Sequence, residues 1–131
     1  RYGVMHRNTF IDSPRLLNAD YSTRVNPNLF FAGQITGVEG YIESASSGLL
    51  AGINAAKRLT GEETIKLPET TMLGALSSYI SDENVKNFQP MGANFGIIKA
   101  LDEKIKDKKL KYSKMSERSL EYLKNLVEEK I

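Results

Sequence analysis

The chain has 131 residues, with no cysteine, no tryptophan and a single histidine. Without cysteine it can form neither a disulfide nor a thiolate metal site, and it offers no cysteine nucleophile. One histidine excludes a multi-histidine metal centre. No apolar run approaches the roughly 18 residues that cross a bilayer, and the first residues show neither the apolar core nor the cleavage site of a signal peptide. Lysine and arginine together number 18 against 16 acidic residues, a net charge of +2. That balance is too small to argue for a nucleic-acid partner by itself. What is present is ordinary: 40% hydrophobic and 26% charged residues, enough chain for one domain with a core. The first residues, Arg1-Tyr2-Gly3-Val4-Met5, are strand-like and carry no initiator methionine, which reads as a segment of something longer.

Local patterns divide the chain. Residues 2–5 and 9–11 favour strand, while Asp12-Ser13-Pro14 and Asn26-Pro27-Asn28 read as turns. Leu29, Phe30, Phe31 and Ala32 form an apolar run closed by Gly33, the pattern of a strand buried on both faces of a parallel sheet. A helical pattern covers residues 44–60. One stripe is Leu49, Ile53 and Ala56, and a second, of very small residues, is Ala45, Gly48, Gly52 and Ala55; the second predicts close backbone packing against a sheet or helix. Lys57, Arg58 and then Gly61 supply the stop signal. A short helix is expected over 70–80, capped by Thr70 or Thr71, and a long one over 107–129, capped by Asp107. Residues 81–93 read as turns, and Phe95, Gly96, Ile97 and Ile98 as a short strand.

The densest signal is residues 30–48, FFAGQITGVEGYIESASSG, in which Gly33, Gly37 and Gly40 stand within eight positions. A strand that ends in glycines and opens a helix can receive an anion or a polarised carbonyl, because backbone approaches closely and the helix start has free N–H groups. Thr36-Gly37-Val38-Glu39 also fits a capping box, which would begin the helix at about Gly37. The spacing is not the G-x-G-x-x-G of a dinucleotide loop, and no acidic ribose ligand follows at a strand end. On spacing alone, tight strand-to-helix packing without a ligand is the better account of these glycines. His6 beside Arg7 is a further candidate pair, against an ordinary structural role. Residues 99–114 carry seven lysines against three acids, a pattern that can track phosphates or form a solvated face.

The segment LFFAGQITGVEGYIESASSGLLAGINAA, residues 29–56, resembles the flavin-contacting C-terminal segment of FAD-dependent tRNA-modifying enzymes that share F-A-G-Q-I-x-G-x-x-G-Y-x-E. Within that group, YGVMHRNTFI at 2–11, L-G-A-L-x-x-Y-I within 71–80, FQPMGANFG at 88–96 and the Asp107-Lys108-Lys109-x-x-Tyr112 run resemble the folate- and FAD-dependent tRNA uracil-C5 methyltransferase family. The resemblance implies an α/β fold, the C-terminal part of a glutathione-reductase-like (Rossmann-type) FAD-binding domain followed by a helical tail. Residues 1–20 would return from an inserted domain, and residues 21–131 would complete the FAD domain.

It implies transfer of a methylene group from methylenetetrahydrofolate to C5 of a T-loop uridine, with reduced flavin supplying electrons from NAD(P)H. Gly33, Gln34, Gly37, Val38, Glu39 and Gly40 would contact the flavin. His6 and Arg7 would hold the folate, and Lys104, Lys106, Lys108, Lys109 and Lys111 are candidates for tRNA phosphates. No catalytic residue of the family and no phosphate-binding loop is expected in this stretch. It should therefore be inactive and flavin-free alone, with the N-terminal part of the same protein, folate and tRNA as partners. A cytoplasmic protein without a membrane partner is expected, with self-association through exposed edges. Two alternatives remain: the related enzyme that builds carboxymethylaminomethyl groups on wobble uridine, and a non-enzymatic α/β module binding RNA or protein.

Overall fold

A computed structural model describes residues 9–131. Four helices are present among them: α1 Ser13–Leu16, α2 Tyr41–Leu59, α3 Met72–Ser81 and α4 Lys108–Lys130. Two very short strands, β1 Val38–Glu39 and β2 Met91–Gly92, pair in parallel, with Val38 opposite Met91 and Glu39 opposite Gly92. A 3₁₀ turn, Gln34–Thr36, precedes β1.

The capping signals behave as their chemistry requires. Thr71 Oγ1 accepts from Gly74 N at 3.0 Å to start α3, and Asp107 Oδ1 accepts from Leu110 N at 3.0 Å to start α4. At the end of α2, Gly61 has φ 74°. Glu62 N donates to Lys57 O and Gly61 N to Arg58 O, a Schellman closure.

Four local expectations fail. Asp12-Ser13-Pro14 is not merely a turn, because Pro14 sits in the first turn of α1, where its missing N–H costs nothing. Residues 29–32 do not form a regular strand. Phe30 bridges Ser22 in antiparallel fashion, Phe31 N donates to Tyr21 O, and Leu29 is 46% exposed. Among the described residues nothing pairs with the run's other edge, and none of the four side chains is fully buried. The short strand near 95 lies earlier, at Met91–Gly92. Phe95 instead stacks on Tyr112 with centroids 4.1 Å apart, and Ile98 fills a small cluster with Ala75 and Met115.

The fourth failure concerns which face of α2 is inside. Its buried residues are Ser47, Leu50, Ala51 and Asn54. The small-residue stripe lies largely in the open, and a Cβ on Gly48 or Gly52 would meet nothing within 4 Å. The helix is oriented by polar anchors that hydrophobic periodicity overlooks. Asn54, fully buried, donates to Asp20 O (3.1 Å) and Ile65 O (2.9 Å) and accepts from Ile65 N (2.6 Å). Leu17, Tyr21, Val38, Leu50, Leu76 and Ile80 form the main core around these bonds.

Asp20 closes the same region. It is 2% exposed and accepts from Ser22 N and Oγ (3.0 and 2.5 Å) and from Thr64 Oγ1 (2.6 Å), with Arg58 Nη2 at 3.5 Å. Burial pushes its pKa up, but the Ser22 and Thr64 bonds and the charge of Lys66 together hold it below the usual carboxylate value. The unfolded carboxylate titrates near about 3.9, so the stabilisation is complete above that pH and is lost as pH falls through the lower folded value. Urea titrations should show stability declining below about pH 4, with Asp20→Asn removing part of that decline. Asn54→Ala leaves three buried backbone partners unmet and should cost about 3 kcal/mol by chemical denaturation.

Candidate functional site: the glycine turn at the start of the long helix

Three supports hold residues 33–40. From one side, Ile11 N donates to Ile35 O (2.9 Å) and Ser13 Oγ to Thr36 O (2.6 Å). From α2, Ser47 Oγ accepts from Gly33 N (2.8 Å) and donates to Ser44 O (2.8 Å). From the far end of the chain, Met91 N donates to Gly37 O (2.9 Å), continuing the β1–β2 pairing.

The helix begins later than the capping box predicts. Thr36 Oγ1 donates to Gly33 O (2.7 Å), within its own 3₁₀ turn, instead of capping a helix. Gly37 then adopts φ 91° and Gly40 φ 111°, conformations that L side chains rarely hold and that interrupt any helix between them. Glu39 lies in β1, and α2 starts at Tyr41 with Gly40 as an N-cap that has no side chain to offer. The first helical bond is Ser44 N to Gly40 O. The N–H groups of Tyr41, Ile42 and Glu43 therefore have no acceptor within the helix. Tyr41 is 97% exposed and Ile42 76%, so this end is open.

Two glycines owe their lack of bulk to the chain itself. A Cβ on Gly37 would run into the ring of Phe88, and one on Gly40 into the carboxylate of Glu43. Phe88 packs between Phe10 and Tyr79, with centroids at 5.8 and 5.6 Å. Tyr79 Oη donates to Gln89 O at 2.8 Å and fixes the residues that follow. Glu43 Oε1 accepts from Ala93 N at 3.1 Å.

Of the residues singled out in sequence, Gly33, Gln34, Gly37, Val38, Glu39 and Gly40 form one continuous turn, but they do not all face outward. Val38 is fully buried in the core, whereas Gln34, Glu39 and Gly40 are exposed. His6 and Arg7 lie outside the described residues. Lys104, Lys106, Lys108 and Lys109 are exposed and Lys111 is half-buried. Lys108 Nζ lies 5.6 Å from the centre of the Tyr112 ring that stacks on Phe95, so this basic stretch is tied to the segment that follows β2.

Sequence reasoning gave no role to Phe88, Ala93, Ser47 or Glu43, although each stands within a quoted stretch. Glu43 was findable: with the helix starting at 41, it stands at the third helical position, where a carboxylate is expected.

Chemically, the turn presents N–H donors that meet no acceptor among the described residues, at the positive end of a 19-residue helix. That donor set suits a polarised carbonyl or the anionic edge of a ring. It lacks the successive glycine amides that cradle a pyrophosphate.

With that geometry in place, comparison with known proteins decides the kinship. The family model for glucose inhibited division protein A (GIDA) matches residues 1–63. A protein of Natranaerobius thermophilus named methylenetetrahydrofolate--tRNA-(uracil-5-)-methyltransferase TrmFO is 56% identical over all 131 residues. The chain belongs to the TrmFO family. A TrmFO protein of Streptococcus suis is 60% identical over 124 residues, 94% of this chain. The chain spans 30% of the first of these TrmFO relatives and 28% of the second. A crystal structure of Aquifex aeolicus GidA aligns with 52% of the chain and 11% of its own length at a TM-score of 0.50 and 36% identity. The TrmFO match extends past residue 63 into the segments containing Phe88 and Ala93, which complete the turn.

Gly37→Ala should lower stability by about 2 kcal/mol in urea denaturation, since it combines an unfavourable φ with the Phe88 clash. Adding Phe88→Ala should not restore the wild-type value, because the strained backbone remains and the aromatic packing is lost.

Proposed function

We propose that these residues form one wall of the flavin site in a longer enzyme that methylates C5 of a T-loop uridine in tRNA. Methylenetetrahydrofolate is the carbon donor, and FAD reduced by NAD(P)H is the electron source. The reading places the chain in the C-terminal part of a glutathione-reductase-like FAD domain, residues 1–20 returning from an inserted domain and 21–131 completing the fold. The observation that supports it best is the open start of α2, with uncapped N–H groups on Tyr41, Ile42 and Glu43 directly after the glycine turn.

Bound flavin supplies the reducing electrons. The chain's part is to orient and stabilise it: the helix N-terminus and the backbone at 40–42 lower the energy of negative charge on the pyrimidine edge. Gln34 and Glu39, exposed on the same turn, border that edge. His6 and Arg7 cover and anchor the folate pterin. The lysines at 104, 106, 108, 109 and 111 meet tRNA phosphate through screened charge. The nucleophile and the pyrophosphate loop come from the N-terminal part of the same protein, so the 131 residues alone neither catalyse nor retain flavin. Exposed Leu29 and Leu49 favour self-association of the isolated stretch. The working location is the cytoplasm; among the described residues no helix is long and apolar enough to cross a membrane.

A second reading, wobble-uridine modification, draws on the match of the GIDA family model to residues 1–63. Mass analysis of tRNA from a strain lacking the gene separates the two. The first reading expects loss of the T-loop methyl group with an intact wobble position, and the reverse result would overturn it. In the full-length protein, His6→Ala and Glu39→Ala should each lower methylation turnover by about tenfold or more, and unchanged turnover in both would contradict the site. Reversing the charges of Lys108, Lys109 and Lys111 should weaken tRNA affinity and flatten its salt dependence.

A further inference from the structure

We infer that Glu43 is the positioning residue of this site, bracing the glycine turn against residues 91–93 and fixing the charge that a reduced ligand meets at the start of α2. The charge half rests on the flavin reading above; the brace does not. One carboxylate joins three elements. Its Oε1 accepts from Ala93 N at 3.1 Å and would lie 3.6 Å from a Cβ on Gly92. Its other oxygen lies over Gly40, where a Cβ would displace it. Side chains on a helix lean back over the preceding turn, so a residue at the third position is the one that reaches both. Glu43 thus bonds Ala93 on one side of the β1–β2 pair and packs over Gly40 on the other, at the end of the turn that the Ser13 and Ser47 bonds do not reach.

Brace and charge are separable. An amide oxygen accepts from Ala93 N as a carboxylate oxygen does, so Glu43→Gln keeps the brace and removes the charge. A negative charge in the first turn stabilises the helix itself. It also opposes a second negative charge at the same end. Glu43 therefore favours the oxidised, neutral ring over the reduced anion, and moderates the stabilisation that the free N–H groups provide. Glu39, exposed on the neighbouring strand, is the other carboxylate on this turn and serves as the comparison.

The test uses the full-length protein with FAD, as wild type and as Glu43→Gln, Glu43→Ala and Glu39→Gln. Potentiometric titration of bound FAD against reference dyes is followed by amide exchange over residues 88–96 in the flavin-free form. Glu43→Gln should make reduced FAD bind about two- to fivefold tighter relative to oxidised FAD, seen as a more positive midpoint, with the exchange at Ala93 unchanged. Glu43→Ala should accelerate exchange at Ala93 by tenfold or more. Glu39→Gln removes a carboxylate that makes no bond to Ala93, so it should leave exchange at Ala93 unchanged. A midpoint in Glu43→Gln that is unchanged or more negative overturns the charge role, and unaltered exchange in Glu43→Ala overturns the brace. Failure of the wild-type protein to bind FAD would contradict the flavin reading, while the exchange measurement would still decide the brace.

Discussion

The pairing of two residues with two residues holds this structure together. Val38 and Glu39 lie beside Met91 and Gly92, joining the glycine turn to a segment fifty positions away in sequence. Because the strands are so short, the ladder depends on what surrounds it: Phe88 over Gly37, the Glu43 carboxylate over Gly40, and Met91 N on Gly37 O. Remove the pairing and the turn keeps its bonds to Ser13 and Ser47 but loses the element that sets its outward face.

A second constraint acts from below. Helix α2 is located by hydrogen bonds from buried polar side chains, Ser47 at the turn and Asn54 near its middle, together with the buried Leu50 and Ala51 beside them. Buried polar groups with full sets of partners specify one arrangement, because any shift leaves several of them unpaired at once. Rigidity beneath the helix allows its N-terminus to stand open with uncapped donors. The same orientation leaves Ala45, Gly48, Leu49 and Gly52 outward, a face suited to close contact with other parts of a longer protein.

Much of this was legible in residue order, and the exceptions share a cause. The bodies of the three longer helices, the caps at Thr71 and Asp107 and the Gly61 stop follow from local chemistry. So does the concentration of special backbone between 33 and 40. The true start of α2 did not follow, because a capping-box pattern at 36–39 competes with two glycines at positive φ beside Phe88 and Glu43, partners that the local spacing does not reveal. Periodicity also misjudged the buried face of α2, since it weighs Ser47 and Asn54 as surface residues. Pairing of β1 with β2 is a long-range event between two dipeptides, too short to leave a pattern. The resemblance to a methyltransferase family carried information that spacing could not, and the 56% identity across the chain bears it out.

The central claim is that the backbone at the start of α2 faces the part of a flavin that gains charge on reduction. It is tested most directly by the amide resonances of Tyr41 and Ile42 in the isotope-labelled full-length protein carrying FAD, recorded oxidised and then reduced. The account predicts large shifts at these two amides, exceeding those at Met72 and Leu73 at the start of α3. Resonances at Tyr41 and Ile42 that stay in place on reduction would contradict it.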